Sequence, residues 1–428
     1  MANTYLTRTI GTTGNRKTFT YSTWIKRGNI GSYQPFMGDV TDVGNDYFTV
    51  YFENPDKLQI YSQLGGPTVI HLSTNREFRD TSAWYHIVIA TDTTQATASD
   101  RVKIYVNGVQ ETSFSVATYP NQNTDLAINI SGETQEVGAG HTLSSYTFDG
   151  SMSHVHFIDG TAYDATAFGE YDANGVWKIK TSPSVTYGTN GFFILKDGNS
   201  VTDQSGNSNN FTVAGGTLTN TEDSPSNVFS VWNSLANQGS VTLDNGNTRA
   251  SFTAGGWNFV YSTLGASSGK YYYEVKVANT GSDSNIGIME MDTATNEQGT
   301  ADNVGKNTES VAYQKNGSIK KNNSNVQTGL TALVNGNILG IAMDLDGNTI
   351  QFYLNGSSVG SAVSIASDKT YAFATSGYGS SEHQTNFGNG YFGTTAVSSA
   401  GTNASGIGIF EHDVPAGFTA LSTKGLNL

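Results

Sequence analysis

Apolar and polar residues alternate along this chain in short runs, and clusters of Gly, Asn, Asp or Ser separate the runs. Residues 18–26, 47–52, 84–90, 102–106, 152–158, 271–277, 338–343 and 349–354 all have this form. A period of two puts alternate side chains on opposite faces of a strand. Each run therefore predicts an antiparallel strand with one buried and one wet face. Helical periodicity is nearly absent. Many short strands at this spacing predict an all-β chain of sandwich or jelly-roll type.

A weak internal repeat divides the chain. Val102-Lys-Ile-Tyr-Val-Asn-Gly108 is echoed by Ile350-Gln-Phe-Tyr-Leu-Asn-Gly356. Both are strands ending in Asn-Gly, the pair that best accepts positive φ in a type I′ hairpin turn. Each follows another strand and an Asp-bearing connection. The reading is two antiparallel sandwiches on one plan. The first is expected over residues 1–180 and the second over 228–428, with residues 415–421 capping it. Residues 181–227, rich in Ser, Thr, Asn and Gly, are expected to be a polar linker with one short strand, Phe192-Phe-Ile-Leu195.

Charge and cysteine narrow the function. Lys plus Arg is 22 and Asp plus Glu is 36 in 428 residues, a formal net charge of −14. Nucleic acids and anionic membrane surfaces need a basic face, so neither is expected as a partner. There is no cysteine, which excludes disulfides, thiolate zinc sites, iron–sulfur clusters and a Cys nucleophile. The first residues hold no signal-peptide pattern, and no apolar run could span a bilayer, so no membrane insertion is expected. The chain is expected to fold in a cytoplasm, and release by lysis would need no signal.

The first region resembles the laminin-G-like, concanavalin A-like jelly rolls. The segments that carry the likeness are Phe19-Thr-Tyr-Ser-Thr-Trp-Ile-Lys26, Trp84-Tyr-His-Ile-Val-Ile-Ala90, Lys103-Ile-Tyr-Val-Asn-Gly108 and Phe148-Asp-Gly-Ser-Met-Ser-His-Val-His-Phe157. The second region resembles a SPRY domain, a related sandwich. It does so through Gly269-Lys-Tyr-Tyr-Tyr-Glu-Val275, Ile286-Gly-Ile288, Gly340-Ile-Ala-Met-Asp-Leu-Asp-Gly347, Phe352-Tyr-Leu-Asn-Gly356, Ala372-Phe-Ala374 and Asn386-Phe-Gly388. This pairing, with the Asp203-Gln-Ser-Gly-Asn-Ser-Asn-Asn210 segment and the Pro415-Ala-Gly-Phe-Thr-Ala-Leu421 ending, is similar to structural proteins of tailed phages, often marine ones. That resemblance implies a virion adhesin or decoration protein.

Catalytic signatures fail on context. Gly265-Ala-Ser-Ser-Gly269 fits G-x-S-x-G, but Lys270 onward alternates as a strand, and the nucleophile elbow needs a helix there. A turn entering a strand is expected instead. Retaining glycosidases need two carboxyl groups roughly 5 Å apart. Glu290 and Asp292 form half of such a pattern, but Glu297 falls too far along to continue it. Asp344 and Asp346 precede Gly347, where a turn uses Asp for local hydrogen bonds. His154 and His156 share a strand face, with no third zinc ligand to name. No enzymatic activity is expected.

Two binding chemistries remain. Asp39, Asp42, Asn45 and Asp46 share one loop region, and Asp203 and Asn207 another (with Asp197 upstream). Such oxygen-rich loops suit calcium, and the laminin-G likeness implies it, although solvated turns use the same residues. No cofactor is required; calcium is the one candidate. Trp24 and Trp84 fall within strands and are expected in the core. Trp257, after Gly255-Gly256, is the candidate sugar platform, since an aromatic ring covers the apolar face of a pyranose. Tyr33, Tyr187 and Tyr378 lie in Gly- or Ser-rich loops and are expected to join it as ligand-binding residues.

The expectation is a non-enzymatic, lectin-like virion protein, an adhesin of the tail or tail fibre that recognises host surface glycans. Its partners would be other virion proteins, a host cell-surface glycan and copies of itself. The competing readings are a capsid decoration or head-fibre protein with the same folds, favoured by a sandwich that begins almost at residue 1, and a secreted glycan hydrolase.

Overall fold

The structure is a computed structural model that describes residues 4–42, 45–140, 146–196, 200–236, 240–253, 255–292 and 303–428. It separates into two units, Met1–Asn220 and Thr221–Leu428. No helix among the described residues is long and apolar enough to cross a membrane.

The first unit holds β1 (Tyr5–Thr9), β2 (Thr18–Arg27), β3 (Gln34–Asp42), β4 (Asp46–Glu53), β5 (Lys57–Gln63), β6 (Thr68–Glu77), β7 (Trp84–Asp92), β8 (Val102–Val106), β9 (Val109–Glu111) and β10 (Phe114–Thr118). It continues with β11 (Thr134–Val137), β12 (Gly150–Asp159), β13 (Gly169–Tyr171), β14 (Trp177–Ile179), β15 (Phe192–Ile194) and β16 (Thr212–Ala214). One sheet runs β10-β6-β5-β4-β3-β11-β1-β16, and the other β15-β12-β2-β7-β8-β9. The inward side chains meet in a core that includes Phe19, Phe48, Ile60, Ile87, Ile104 and Phe157. Phe19 meets Phe48 edge to face at 5.6 Å. Each such side chain, fully withdrawn from water, stabilises the fold by roughly 1.5–3 kcal/mol.

The second unit holds β17 (Val241–Asp244), β18 (Arg249–Phe252), β19 (Asn258–Ala266), β20 (Lys270–Asn279), β21 (Asp283–Glu290), β22 (Ser310–Gln314), β23 (Ile319–Lys321) and β24 (Ser324–Gln327). After these come β25 (Ile338–Asp344), β26 (Thr349–Leu354), β27 (Ser357–Ser364), β28 (Tyr371–Tyr378), β29 (Glu382–Asn386), β30 (Tyr391–Phe392), β31 (Thr395–Ala396) and β32 (Thr419–Ala420). Its sheets run β19-β28-β21-β22-β23-β24 and β17-β18-β29-β20-β25-β26-β27. Trp232, Tyr273, Phe373 and Phe387 fill the space between them.

The two strand orders coincide. In one sheet β11 lies between β1 and β3 and is followed outward by β4, β5 and β6; its counterpart places β28 between β19 and β21, then β22, β23 and β24. In the other sheet β12-β2-β7-β8-β9 matches β29-β20-β25-β26-β27. The two sandwiches share one plan, and the Asn-Gly repeat marks the same hairpin in each. Asn107 and Asn355 both have φ of 49°, followed by Gly108 at 82° and Gly356 at 81°. The Asn107 side chain accepts the His86 N–H at 2.7 Å, and the Asn107 N–H returns to the His86 carbonyl at 2.9 Å. Asn355 does the same with Ile338, at 2.9 and 2.8 Å.

The expected linker over 181–227 needs correction. Its strand, β15, joins the first unit beside β12, with Val155 opposite Ile194. Farther on, β16 pairs with β1, Leu6 opposite Val213. Phe192, Ile194 and Phe211 are core residues there. Their apolar area outweighs the polar composition around them, and the boundary falls after Asn220. The C-terminal cap over 415–421 is present: β32 lies parallel to β20, with Tyr272 opposite Ala420.

Asn107→Ala and Asn355→Ala should each destabilise the unit that carries them by about 1–3 kcal/mol, because each leaves a strand N–H without its acceptor and puts Ala at positive φ. Urea unfolding followed by tryptophan fluorescence measures this. A loss below a few tenths of a kcal/mol in both would show that these turns do not hold the hairpins.

Candidate functional site

Trp257 and Tyr378 come together in the second unit. Trp257 ends the connection from β18 to β19, and Tyr378 ends β28. Register brings them side by side, since Asn258 pairs with Gly377. Their ring centroids are 5.9 Å apart at 46°. Asn258 anchors the Trp257 loop: its side chain accepts the Ser240 N–H at 2.9 Å and donates to the Gly256 carbonyl at 3.1 Å. Tyr378 is 39% exposed and Trp257 half-buried. Asp283 lies opposite Tyr378 on β21. Burial raises its carboxyl above the ordinary 3.8. Neighbouring turns are tied by Asn279 to the Ser380 carbonyl at 3.0 Å and by Lys315 to the Gly281 carbonyl at 2.6 Å. The result is a fixed, partly exposed aromatic pair with a carboxyl group on the adjoining strand.

A second aromatic cluster forms in the first unit. Tyr33 lies 5.8 Å from Tyr51 and 6.0 Å from Tyr146. Tyr33 and Tyr146 are both exposed. The Tyr51 hydroxyl donates to Gln59. The loop before Tyr33 is fixed by Asp56, which accepts the Gly31 N–H at 2.6 Å while forming a buried ion pair with Arg27 at 3.0 Å. Tyr146 carries no local signal that ties it to Tyr33, and sequence reasoning missed it. Tyr187 does not join either cluster. Its hydroxyl bonds His156 Nδ1 at 3.0 Å, and its ring lies parallel to Phe193.

The residues expected to bind calcium do not assemble. Asp39 points into the first sandwich, and Arg8, Gln135 and Asp39 face one another across β1, β11 and β3. Arg8 donates to Gln135 at 2.8 Å and to the Asn190 carbonyl at 2.7 Å. Asp39, Asp203 and Asp159 all act on the Arg8 guanidinium, so the buried cation among these acids is Arg8 itself. Asp203 accepts the N–H groups of Phe193, Ser205 and Asn209 at 2.8–2.9 Å. Asn207 donates to the carbonyls of Gly188 and Gly191. Asp46, at the β3–β4 turn, accepts the Gly65 N–H at 2.6 Å, and the Asn45 carbonyl accepts from Gly66. The Asp42 side chain and Asp197 lie outside the described residues. Among the described residues no three His, Asp or Glu side chains are placed to hold a metal ion. Their oxygens serve backbone N–H groups, which is the turn chemistry of Asp and Asn.

The carboxylate pairs are occupied as well. Asp344 pairs with Lys270 at 2.8 Å and accepts the Gly347 N–H; Asp346 accepts the Gly269 N–H. Glu290 is buried on β21, and Glu297 lies outside the described residues. Residues 267–269 join β19 directly to β20 with no helix. His154 sits at positive φ in a bulge of β12, and both it and His156 pack on Phe193. Trp24 and Trp84 are buried as expected, but Trp24 stacks on His86 at 4.7 Å, away from the core between the sheets.

Burial raises the Asp39 carboxyl to about 7, only partly opposed by the Asn129 N–H and by Arg8. A folded value above the unfolded one gives stability that is full below about pH 4 and is lost as pH rises through 7. Asp39→Asn should remove that loss. Wild-type stability should therefore fall relative to the variant by on the order of 4 kcal/mol between pH 4 and pH 8. Denaturant unfolding across this range checks it; a difference independent of pH would contradict an ionising Asp39.

Comparison with known proteins agrees with this architecture. Residues 2–165 match the model of the concanavalin A-like lectin/glucanases superfamily, and residues 270–390 match that of the SPRY domain. No curated protein matches the chain. Similar solved structures include the SPRY domain of human HERC1, at 17% identity and a TM-score of 0.30, covering 36% of this chain and 96% of that one. A human SPRY domain has 18% identity and a TM-score of 0.27, covering 33% and 92%. The heptameric SAP-like pentraxin of Limulus polyphemus has 16% identity and a TM-score of 0.28, covering 38% and 72%. The chain contains a concanavalin A-like domain of the laminin G type followed by a SPRY domain.

Proposed function

We propose that the protein is a non-enzymatic, lectin-like adhesin that binds neutral sugars through exposed aromatic rings. The observation that carries this is the Trp257–Tyr378 pair, fixed by Asn258 and open to water. An indole beside a phenol covers the apolar C–H face of a pyranose, while the phenol hydroxyl and nearby polar groups can meet sugar hydroxyls. The Tyr33–Tyr146 cluster is the equivalent candidate in the first unit. A catalytic role finds less support, because Asp344 and Asp346 are engaged in turns. The likeness of the motif order to tailed-phage structural proteins extends the proposal: the protein works on the virion, at the tail or tail fibre, against host surface glycans. Its partners there are other virion proteins and copies of itself.

A glycan array probed with the full chain tests the reading. Binding to neutral glycans is expected, and Trp257→Ala or Tyr378→Ala should weaken it about 10- to 100-fold, as removal of a central aromatic anchor does. Thermal unfolding should change little. Absence of glycan binding, or binding indifferent to both substitutions, would overturn it. Immunogold microscopy of parent particles separates the virion sites: gold on the tail supports adhesion, and gold on the head or none on accessible particles overturns the tail assignment.

A further inference from the structure

Residues 161–187 cross the outer face of the six-stranded sheet in the first unit. They start after Gly160 and end before Gly188, both at positive φ (100° and 71°). Tyr163, Ala165, Phe168, Trp177, Val185 and Tyr187 from this strap pack on Val88, Tyr105 and Ile158 of β7, β8 and β12. Trp177 sits between two glycines: a Cβ on Gly108 or on Gly169 would lie within 2.5 Å of its indole. The strap is therefore shaped to its seat.

Thr20 of β2 anchors the start of the strap, accepting the Tyr163 N–H at 2.7 Å and donating to the Thr161 carbonyl at 2.8 Å, and two histidines anchor the rest. The Trp177 indole N–H donates to His86 Nδ1 at 3.0 Å. An indole can only donate, so Nδ1 must accept and the ring proton must sit on Nε2, facing the Ser22 hydroxyl at 2.9 Å. A second proton on His86 would set two donors against each other. Trp24 stacks on the same ring at 4.7 Å, and the Trp177 ring lies 5.9 Å from it at 21°. Farther along, Tyr187 bonds His156 Nδ1, and His156 lies flat on Phe193 at 4.0 Å. Both histidines are buried.

We infer that the strap is a histidine latch, closed over the sheet while His86 and His156 are neutral and opened by acid to uncover the aromatic face around Trp24. The charges around the rings agree. His154 acts on both rings, and Lys196 acts on His156; each opposes a further positive charge. Lys26 follows Trp24 on β2, and Lys103 of β8 pairs with Asp100 at 3.1 Å. On the strap, Lys178 faces Asp172 and Lys180 faces Glu170 at 3.9 Å, while Asp164 caps the Thr166 N–H. Asp203 bears on Tyr187. Among the described residues, no carboxylate bears on either histidine ring as a counter-charge. Desolvation holds His86 near 3 and His156 well below its ordinary value. Lowered folded values mean stability that is full above about pH 6.5 and lost as pH falls.

A histidine that regains its ordinary 6.5 on opening favours the open strap by about 25-fold between pH 7 and pH 5, so two give about 600-fold. Hydrogen exchange of the full chain at the two pH values, corrected for intrinsic rates, reads this directly. Amides of residues 161–187 should gain that opening, while those of β4 and β5 in the opposite sheet keep their protection. His86→Gln with His156→Gln, neutral at both pH values, should leave less than a tenfold response. Strap protection equal at both pH values would overturn the latch. So would joint loss across β4 and β5, or a double variant that responds as the wild type does. The wild-type comparison decides even where the double variant fails to fold.

Discussion

Both units obey one constraint: a sheet that is buried on its outer as well as its inner face must be covered by the chain itself. β2 is buried at nine of its ten residues, and β20 at most of its length. Strands buried on both faces are expected where something lies over the sheet. The first unit uses the 161–187 strap. The second uses its C-terminal segment, whose Phe410, Val414, Phe418 and Ala420 pack on Tyr272, Ala342 and Tyr353. Glu274 clamps that segment by accepting the N–H groups of Glu411 and His412 at 2.8 and 2.9 Å. The Asn-Gly turns belong to this same design. A Cβ on Gly108 would strike Trp177, and one on Gly356 would lie 3.0 Å from His412. Glycine is needed there for the turn's positive φ and again for the ring laid over it.

The strand plan was legible because it rests on local signals. Alternation marked β8 and β26 to the residue, and Asn-Gly marked the shared hairpin. What stayed hidden depends on partners distant in sequence. β15 is expected from the sequence as a strand but not as part of the first unit, and β16 is not expected at all; both are three-residue strands inside polar stretches. They hold because β12 and β1 offer them open edges, which no window around residues 192–214 can reveal. The strap was hidden for a related reason: Trp177 is one of five aromatic residues spread over residues 161–187 without strand alternation, and its seat is formed by His86, Gly108 and Gly169.

The candidate sites divide the same way. Trp257 and Tyr378 were legible as loop aromatics, but their contact follows from the β19–β28 register. The acids misled because one composition serves two physical ends. Asp among Gly, Asn and Ser can hold a cation or can satisfy backbone N–H groups in a loop. Asp203 takes the second course, accepting three N–H groups that fasten residues 203–209 to β15. Asp159 accepts from Asn15, Asn129 and Asn190 and closes one end of the same sandwich. Charged residues make up only 14% of the chain.

That scarcity bears on the kind of ligand. An interior wired by acids, amides and hydroxyls leaves the loops to present rings and neutral polar groups, and the net charge of −14 opposes approach of acidic polysaccharides at low salt. Aromatic platforms gain from apolar contact with a sugar face and lose nothing to that repulsion when the sugar is uncharged. Single platforms of this kind bind weakly. A chain with one in each of two linked units, or an oligomer of such chains, multiplies weak contacts into firm attachment without a deep pocket, because the second contact forms at high effective concentration. Adhesion to a repetitive glycan surface is the setting in which that arithmetic works.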